Sequence, residues 1–241
     1  MKRFNLDIVI PIYNNVDVLE KSIKKQIEFY SKNLNNFNWN IIIANNASNQ
    51  YTISISKKLA KKFKQVQYIS ILKKGRGNAL KTAWSLSNSD FLSYMDVDLA
   101  TDLKAFPELI NNLKEGYDIS VGSKYIKQAK CKRNLARYII SRLFNWTNII
   151  LFNSEFTDAQ CGFKAITKEA ATKILPKIKD GNWFFDTELL VYSQKRGLKI
   201  KEVPITWTEL GMAKKSGVKM LKTIKEFIIK MIELKFRGMK I

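Results

Sequence analysis

Apolar residues in this chain follow two alternating patterns. Short, mostly apolar segments that read as strands fall at residues 7–12, 40–44, 66–72, 91–95 and 117–121. Between them, at 16–30, 53–63, 78–87 and 103–115, apolar residues recur at helical spacing. Runs such as Ile8-Val9-Ile10 and Ile41-Ile42-Ile43 leave no polar face, which predicts strands covered on both sides, as in a parallel sheet. Alternation of strand and helix predicts a doubly wound α/β layer structure. Ligands of such sheets bind beyond the carboxyl ends of the strands. Tyr13-Asn14-Asn15, Asn45-Asn46 and Asp96-Val97-Asp98 all fall at such ends.

Past Gly122 the pattern changes. A basic amphipathic helix is predicted over 133–152, a glycine-containing loop over 158–163, a helix over 184–196 and a strand over 199–207. The stretch from 214 to 241 interleaves apolar residues with lysines and arginines. The expected organisation is an α/β domain over 1–212 and a basic amphipathic helical extension over 213–241. That extension suits either a membrane surface or an apolar stripe packed on the core. No linker rich in Pro, Gly or Ser divides the chain, and no internal repeat is visible.

Composition narrows the chemistry. The chain has 241 residues and is 46% hydrophobic, enough for a sizeable core. The formal net charge is +21, a field that attracts polyanions, an anionic membrane face or phosphorylated substrates. Lys and Asn are both abundant, so coding bias accounts for part of the excess. With no His in the chain, His-based triads and His-ligated metal sites are excluded. Cys131 and Cys161 make neither a disulfide framework nor a zinc site, and a reducing compartment is expected. The N-terminus lacks the apolar run of a signal peptide, and no apolar stretch is long enough to span a bilayer.

Asp96 and Asp98, two apart at a strand mouth, make a small hard-oxygen site. Such a site suits Mg²⁺ or Mn²⁺, which take few protein carboxylates when phosphate oxygens supply other ligands. Taken alone, an Asp-x-Asp is weak; its surroundings give it weight. Ile8-Val9-Ile10-Pro11-Ile12-Tyr13-Asn14 resembles the V-x-I-P-x-Y-N opening of the inverting GT-A glycosyltransferases of family 2. Ala44-Asn45-Asn46-Ala47-Ser48 resembles their second-strand turn, Gly75-Arg76-Gly77-Asn78-Ala79 their G-K/R-G-x-A segment, and Val121-Gly122-Ser123-Lys124 their V-G-S-R. The segments 158–164, 184–190 and 202–207 resemble those of the dolichyl-phosphate glucose and mannose synthases, the polyprenyl-phosphate branch. The resemblance covers about residues 7–215, and the order and spacing of the motifs make it specific.

The resemblance implies a GT-A fold and transfer of a hexose from a nucleotide sugar to dolichyl or polyprenyl phosphate, with inversion. UDP-glucose is favoured as donor over GDP-mannose. It implies a donor site at Pro11, Tyr13, Asn15, Asn46, Arg76, Asp96, Val97 and Asp98. Asp96 and Asp98 hold Mg²⁺ or Mn²⁺, with Ala100 standing where some relatives add a Gln ligand. It implies an acceptor-phosphate site at Lys124, Arg133, Arg137 and Ser141, of which the last three share one helical face by i, i+4 spacing. A solvated basic helix face is the alternative for any one of them. Asp98, Asp158 and Glu188 are the expected catalytic acids, with ordering of backbone and basic side chains as the alternative for the last two. A phosphate acceptor is already largely dianionic at neutral pH, so no strong base is required. Phe184, Phe185 and Trp207 read as core more than as ligands, and Cys161 as a buried small residue.

The expected site in the cell is cytoplasmic, peripheral at the cytoplasmic face of a membrane. Two alternatives remain open. One is a GT-A enzyme with another acceptor, such as a surface polysaccharide. The other is a basic nucleic-acid-binding protein, which the charge permits. The missing interleaving of aromatic and basic residues argues against a nucleic-acid partner.

Overall fold

The structure, a computed structural model, describes residues 3–209 and 220–238. Nine strands and eight helices run in the order β1 (Phe4–Ile12), α1 (Val16–Asn33), β2 (Phe37–Asn46), α2 (Gln50–Lys62), β3 (Val66–Ile71), α3 (Arg76–Leu86), β4 (Phe91–Met95), α4 (Phe106–Lys114), β5 (Ile119–Ser123), β6 (Lys130–Lys132), α5 (Leu135–Phe152), β7 (Phe163–Thr167), α6 (Lys168–Ile174), α7 (Phe185–Lys195), β8 (Ile200–Pro204), β9 (Thr206–Thr208) and α8 (Met220–Gly238) among the described residues. Seven strands form one sheet in the order β3-β2-β1-β4-β7-β5-β8. All pairs are parallel except those of β7, which runs against both β4 and β5. The expected mostly parallel α/β sheet flanked by helices is therefore present.

β1 shows why this sheet forms. Leu6, Ile8, Val9 and Ile10 are all buried, so both faces of the strand are covered. Each such side chain contributes about 1.5–3 kcal/mol relative to exposure. The polar exception, Asp7, accepts hydrogen bonds from Ser87 Oγ at 2.6 Å and Asn40 Nδ2 at 3.2 Å, which offset its desolvation. β1 sits between β2 and β4. The strand order reverses there, which places the topological switch point at the ends of β1 and β4. Ile12, Asn46 and Met95 all end at that edge.

Three differences from the sequence reading have physical reasons. The segment expected as a loop over 158–163 leads into a strand, β7, whose second residue is a fully buried lysine, Lys164. The expected strand over 199–207 is two strands. β8 stays in the main sheet, while β9 pairs with β6 to form a small second sheet. At the break, Ile205 N–H donates to Ser123 O at 3.2 Å, and Ile205 O accepts from Lys130 N–H at 2.9 Å. The helix expected from 133 begins at Leu135, capped by Asn134 Oδ1, which accepts from Ala136 N–H at 3.0 Å. The boundary expected at 212/213 lies outside the described residues. No helix among the described residues is long and apolar enough to cross a membrane.

Candidate functional site

The turn after β4 carries Asp96 and Asp98. Val97 between them is buried, and Leu99 adopts φ +55°, so the chain reverses sharply beneath the two carboxylates. Asp98 Oδ1 accepts from Ala100 N–H at 3.0 Å. β9 holds the turn from outside, through Thr208 N–H to Ala100 O and Asp102 N–H to Thr206 O, both 2.9 Å. Burial pushes the Asp98 carboxyl above its ordinary value, and the Asp96 charge pushes it further.

Asp96 has a cationic neighbour. Arg76, in the first turn of α3, donates Nη2 to Asp96 Oδ1 at 2.7 Å and Nη1 to Asp186 Oδ2 at 2.6 Å. Its guanidinium lies 4.9 Å from the Tyr94 ring centroid and 5.0 Å from that of Trp183, so aromatic rings flank it. Burial works against its charge, but Asp96, Tyr94 and Asp186 together raise its pKa. Asp186 also accepts from Tyr94 Oη and, at 2.9 Å, from Lys164 Nζ. Lys164 donates further to Cys161 O at 2.6 Å and Ala159 O at 3.1 Å. A buried lysine and arginine thus share one buried aspartate beneath the Asp96 turn.

Gly162 is needed at this point. A Cβ there would stand 2.7 Å from Asp96 Cγ and 2.8 Å from Arg76 Nη2. The backbone of 162 therefore forms the wall against which the Asp96 carboxylate rests.

Other residues expected at the donor site, with their neighbours, gather at the same sheet edge. Asn46 Oδ1 accepts from Gly75 N–H at 2.7 Å, which ties the second strand to the entrance of α3. Asn45 is buried and accepts from Ser48 N–H at 3.3 Å, so its amide orders the turn. Asn14 takes φ +54°, and its Oδ1 accepts from Asn49 N–H at 2.9 Å. Tyr13 is exposed, with Lys74 Nζ 4.0 Å from its ring centroid and 2.8 Å from its hydroxyl. Pro11 is half-buried where β1 leaves the sheet, and Asn15 stands at the start of α1.

The second cluster forms between the exit of β5, helix α5 and β9. Lys124 Nζ and the Arg133 guanidinium lie 5.8 and 5.2 Å from the centroid of the Trp207 ring. Ser141 shares a hydrogen bond with Tyr125 Oη, and the Arg142 guanidinium is 5.0 Å from the Tyr125 ring centroid. Arg137 pairs with Glu209, whose other oxygen accepts from Asn134 N–H at 3.0 Å. Arg133 Nε is buried without a hydrogen-bond partner among the described residues. Lys124 and Arg133 thus meet over the Trp207 ring, which also packs against the core as expected, and Arg137 and Ser141 follow Arg133 on α5.

Asp158 and Glu188, expected as catalytic acids, have other tasks in this structure. Asp158 Oδ2 accepts from Lys124 Nζ at 2.5 Å and from Lys124 N–H at 3.1 Å. Lys124 is itself nearly buried, and although burial disfavours its charge, Asp158 raises its pKa. Glu188 Oε2 accepts from the N–H groups of Lys179 and Asp180, at 2.7 and 2.8 Å, and Oε1 pairs with Arg237 of α8. The Glu188 oxygens are turned to the 179–180 backbone and to α8, the ordering arrangement that was the alternative for this residue. Phe184 and Phe185 are fully buried core, as expected. The Cys161 thiol is buried and pushed up to about 12 by that burial, which leaves it inert as a nucleophile.

The two clusters are neighbours. The segment from Asp158 to Gly162 runs from the Lys124 pair to the wall of Asp96, a span of at most about 14 Å of extended chain.

Lys164 and Asp186 lie inside motifs noted in the sequence and Trp183 just before one, and none of the three has a role assigned there. A charged residue inside an otherwise apolar segment is the signal that marks Lys164 and Asp186. Trp183 carries no such signal.

Comparison with known proteins agrees with this architecture. The family model described as Glycosyl transferase family 2 matches residues 7–175. Glycosyltransferase AglD of Haloferax volcanii is 32% identical over 211 residues, 87% of this chain and 34% of that protein. Dolichyl-phosphate beta-glucosyltransferase ALG5C of Trichomonas vaginalis is 30% identical over 225 residues, 89% of this chain and 67% of that one. The chain thus spans about a third of the length of the first relative and about two thirds of the second. Glucosyl-3-phosphoglycerate synthase of Mycobacterium tuberculosis, solved with Mn²⁺, UDP and glucosyl-3-phosphoglycerate, superposes with a TM-score of 0.68. It is 15% identical and covers 96% of this chain and 80% of its own. That likeness establishes the fold as GT-A. The chain belongs to glycosyl transferase family 2.

Proposed function

We propose that this chain transfers a hexose, glucose from UDP-glucose in the favoured case, to a polyprenyl or dolichyl phosphate, inverting the anomeric centre. The observation that carries this reading is the juxtaposition of two clusters. An acidic pair at the switch point lies one short segment from a cluster of basic and aromatic side chains suited to a phosphate. The names of the dolichyl-phosphate beta-glucosyltransferases among the relatives support the acceptor and the sugar.

Asp96 and Asp98 fit a divalent cation. Their oxygens are hard donors and both residues are only half-buried. The Mn²⁺ complexes of proteins with this fold support Mg²⁺ or Mn²⁺ here. Bound there, the ion supplies Lewis-acid neutralisation of charge on the departing diphosphate.

This chain's own residues do the rest. Tyr13, Asn46 and the Gly75 turn shape the base and ribose end. Arg76 holds the Asp96 carboxylate in place. Arg133, Arg137 and Ser141 receive the acceptor phosphate, with Lys124 oriented by Asp158. Arg offers phosphate a planar fork, whereas Lys acts as a point charge. Asp158, bonded twice to Lys124, positions that lysine and does not serve as a base. The phosphate acceptor, with a second pKa of about 6, needs none.

The lipid needs a surface. Leu135, Ile139, Leu143, Trp146 and Ile150 form an exposed stripe on α5, and Ile228, Ile229, Ile232 and Phe236 are exposed on α8. The two helices meet through Phe144 and Phe227, with ring centroids 5.2 Å apart. This apolar face suits docking on the anionic cytoplasmic side of a membrane, the reducing side on which Cys131 and Cys161 stay free.

The test is transfer from labelled UDP- and GDP-sugars to dolichyl phosphate in detergent with Mn²⁺, beside an Asp98→Ala control. Label should enter the lipid phase from one donor and vanish in the control. No lipid product, with intact sugar-nucleotide binding, would refute the acceptor assignment and favour a saccharide acceptor.

A further inference from the structure

Helix α8 bears two kinds of residue on opposite sides. Its outward side mixes exposed apolar residues, Ile228, Ile229, Ile232 and Phe236, with exposed Lys225, Glu226, Glu233 and Lys235, while Lys230 and Arg237 turn inward and pair with acids. Lys230 pairs with Asp180, and Arg237 with Glu188. Met231 and Leu234 are buried, and Phe227 packs edge-on against Phe184, with ring centroids 5.5 Å apart.

Every one of those partners belongs to, or holds, the segment 179–184. Glu188 Oε2 accepts from the N–H groups of Lys179 and Asp180. Asp180 Oδ1 accepts from Asn182 N–H at 2.7 Å and Phe185 N–H at 3.1 Å. The segment in turn seats the start of α3. Gly181 O accepts from Asn78 N–H at 2.9 Å, and the Trp183 ring covers the Arg76 guanidinium. A Cβ on Gly77 would stand 2.7 Å from Phe185 Cβ and 2.9 Å from Gly181 C, so the two backbones are in direct contact. Arg76 then grips Asp96.

We propose that α8 is a latch on the donor site. Lys230 and Arg237 hold Asp180 and Glu188, and these acids hold the segment that seats Arg76 against Asp96. Asp180, Glu188, Lys230 and Arg237 are positioning residues; none touches the reacting groups. Coupling of this kind is reciprocal, so occupation of the donor site also tightens α8. The inference rests on the donor-site reading above, with UDP and Mn²⁺ as the probe.

The test compares the full chain with a Lys230→Met/Arg237→Met variant, which keeps the apolar stems. Amide exchange at Lys179, Asp180 and Asn78 should rise at least about ten-fold, while Ile8, Val9 and Ile10 in β1 stay protected as a control on the fold. UDP affinity in Mn²⁺ should weaken about five- to ten-fold, and Arg237→Lys should restore part of it. Saturating UDP and Mn²⁺ should slow exchange in α8 of the wild type and not in the variant. If the double variant does not fold, Lys230→Met alone carries the same readouts. Unchanged exchange at Asn78, or released exchange with UDP affinity unchanged, would overturn the latch. A wild type that binds no UDP would refute the donor reading instead, and the exchange arm would still decide whether α8 holds the segment.

Discussion

Asp186→Asn is the substitution that tests the buried core of the site most directly. Asp186 is fully buried and is the shared acceptor of Arg76 at 2.6 Å, Lys164 at 2.9 Å and Tyr94 Oη. An amide keeps the shape but removes the charge, and its NH₂ must face one of the cationic donors. Two cations then remain buried, with Asp96 the acid left to Arg76 and backbone carbonyls left to Lys164. Breaking a buried ion pair from one side costs about 3–5 kcal/mol, a large part of a typical total of about 5–15 kcal/mol. With a urea m-value of about 2 kcal/mol/M, the unfolding midpoint should fall by roughly 2 M. The pH profile gives an independent check. Burial pushes the Asp186 carboxyl up, but Lys164 and Arg76 outweigh it and hold it below its ordinary value. Its contribution is therefore complete above the unfolded pKa of about 3.9 and is lost as pH falls through the lower folded value. Wild-type stability should drop in that acid window, and Asp186→Asn should lack this component. A midpoint within about 0.3 M of wild type, or an unaltered acid limb, would show that the three-way pairing at Asp186 does not stabilise the fold.

Other substitutions separate the donor side from the acceptor side. Asp98→Ala should abolish sugar transfer and weaken Mn²⁺-dependent UDP binding at least ten-fold by calorimetry, since one of two carboxylates is removed. Gly162→Ala, whose Cβ would stand 2.7 Å from Asp96 Cγ, should cost about 1–3 kcal/mol of stability and cut turnover more than it shifts the KM for lipid. Arg133→Ala should raise the KM for the lipid phosphate about ten-fold while leaving UDP affinity unchanged, as a group on the Trp207 platform should. Trp146→Asp, at an exposed position, should leave the melting temperature nearly unchanged and reduce sedimentation with anionic vesicles.

Much of this molecule is legible from local pattern because parallel strands advertise themselves. β1 and β2 are apolar on both faces, so their existence follows from the residues alone, and the Asp-Val-Asp turn follows from where β4 stops. β7 is not legible in that way. Its second residue is a lysine, a poor strand former, and it is tolerated only because Asp186, far away in sequence, is folded beneath it. Similarly, no local signal divides 199–207 into two strands. The division is imposed by Ser123 and Lys130, which bond Ile205 from either side. The site shows the same limit. Residue types told which groups carry charge, but the partner of each charge depends on tertiary structure. Motif context left Glu188 and Asp158 open to two readings, catalytic acid or organiser of neighbours, and only the fold shows the groups that each one bonds.

Such pairing changes the meaning of the chain's high positive charge. Around the two clusters, Arg76, Lys124, Arg137, Lys164, Lys230 and Arg237 each have a carboxylate partner. Much of the charge around the site is thus paired within the chain, so a phosphate meeting Arg137 would exchange partners there. Arg133, whose Nε is buried without a hydrogen-bond partner, has no acid to give up among the described residues. Arg137 would turn from Glu209 to the acceptor, and Glu209 would keep its bond from Asn134 N–H. A surface field of unpaired lysines predicts affinity that falls steeply with salt. Partner exchange at Arg137, inside a half-buried cluster, predicts a shallow dependence, because an acid is released for the phosphate contact made. Glu209→Gln should therefore tighten lipid-phosphate binding at low salt and steepen its salt dependence, since the Glu209 charge would no longer compete with the phosphate for Arg137. The same salt dependence in Glu209→Gln and wild type would mean that Arg137 takes no part in receiving the phosphate.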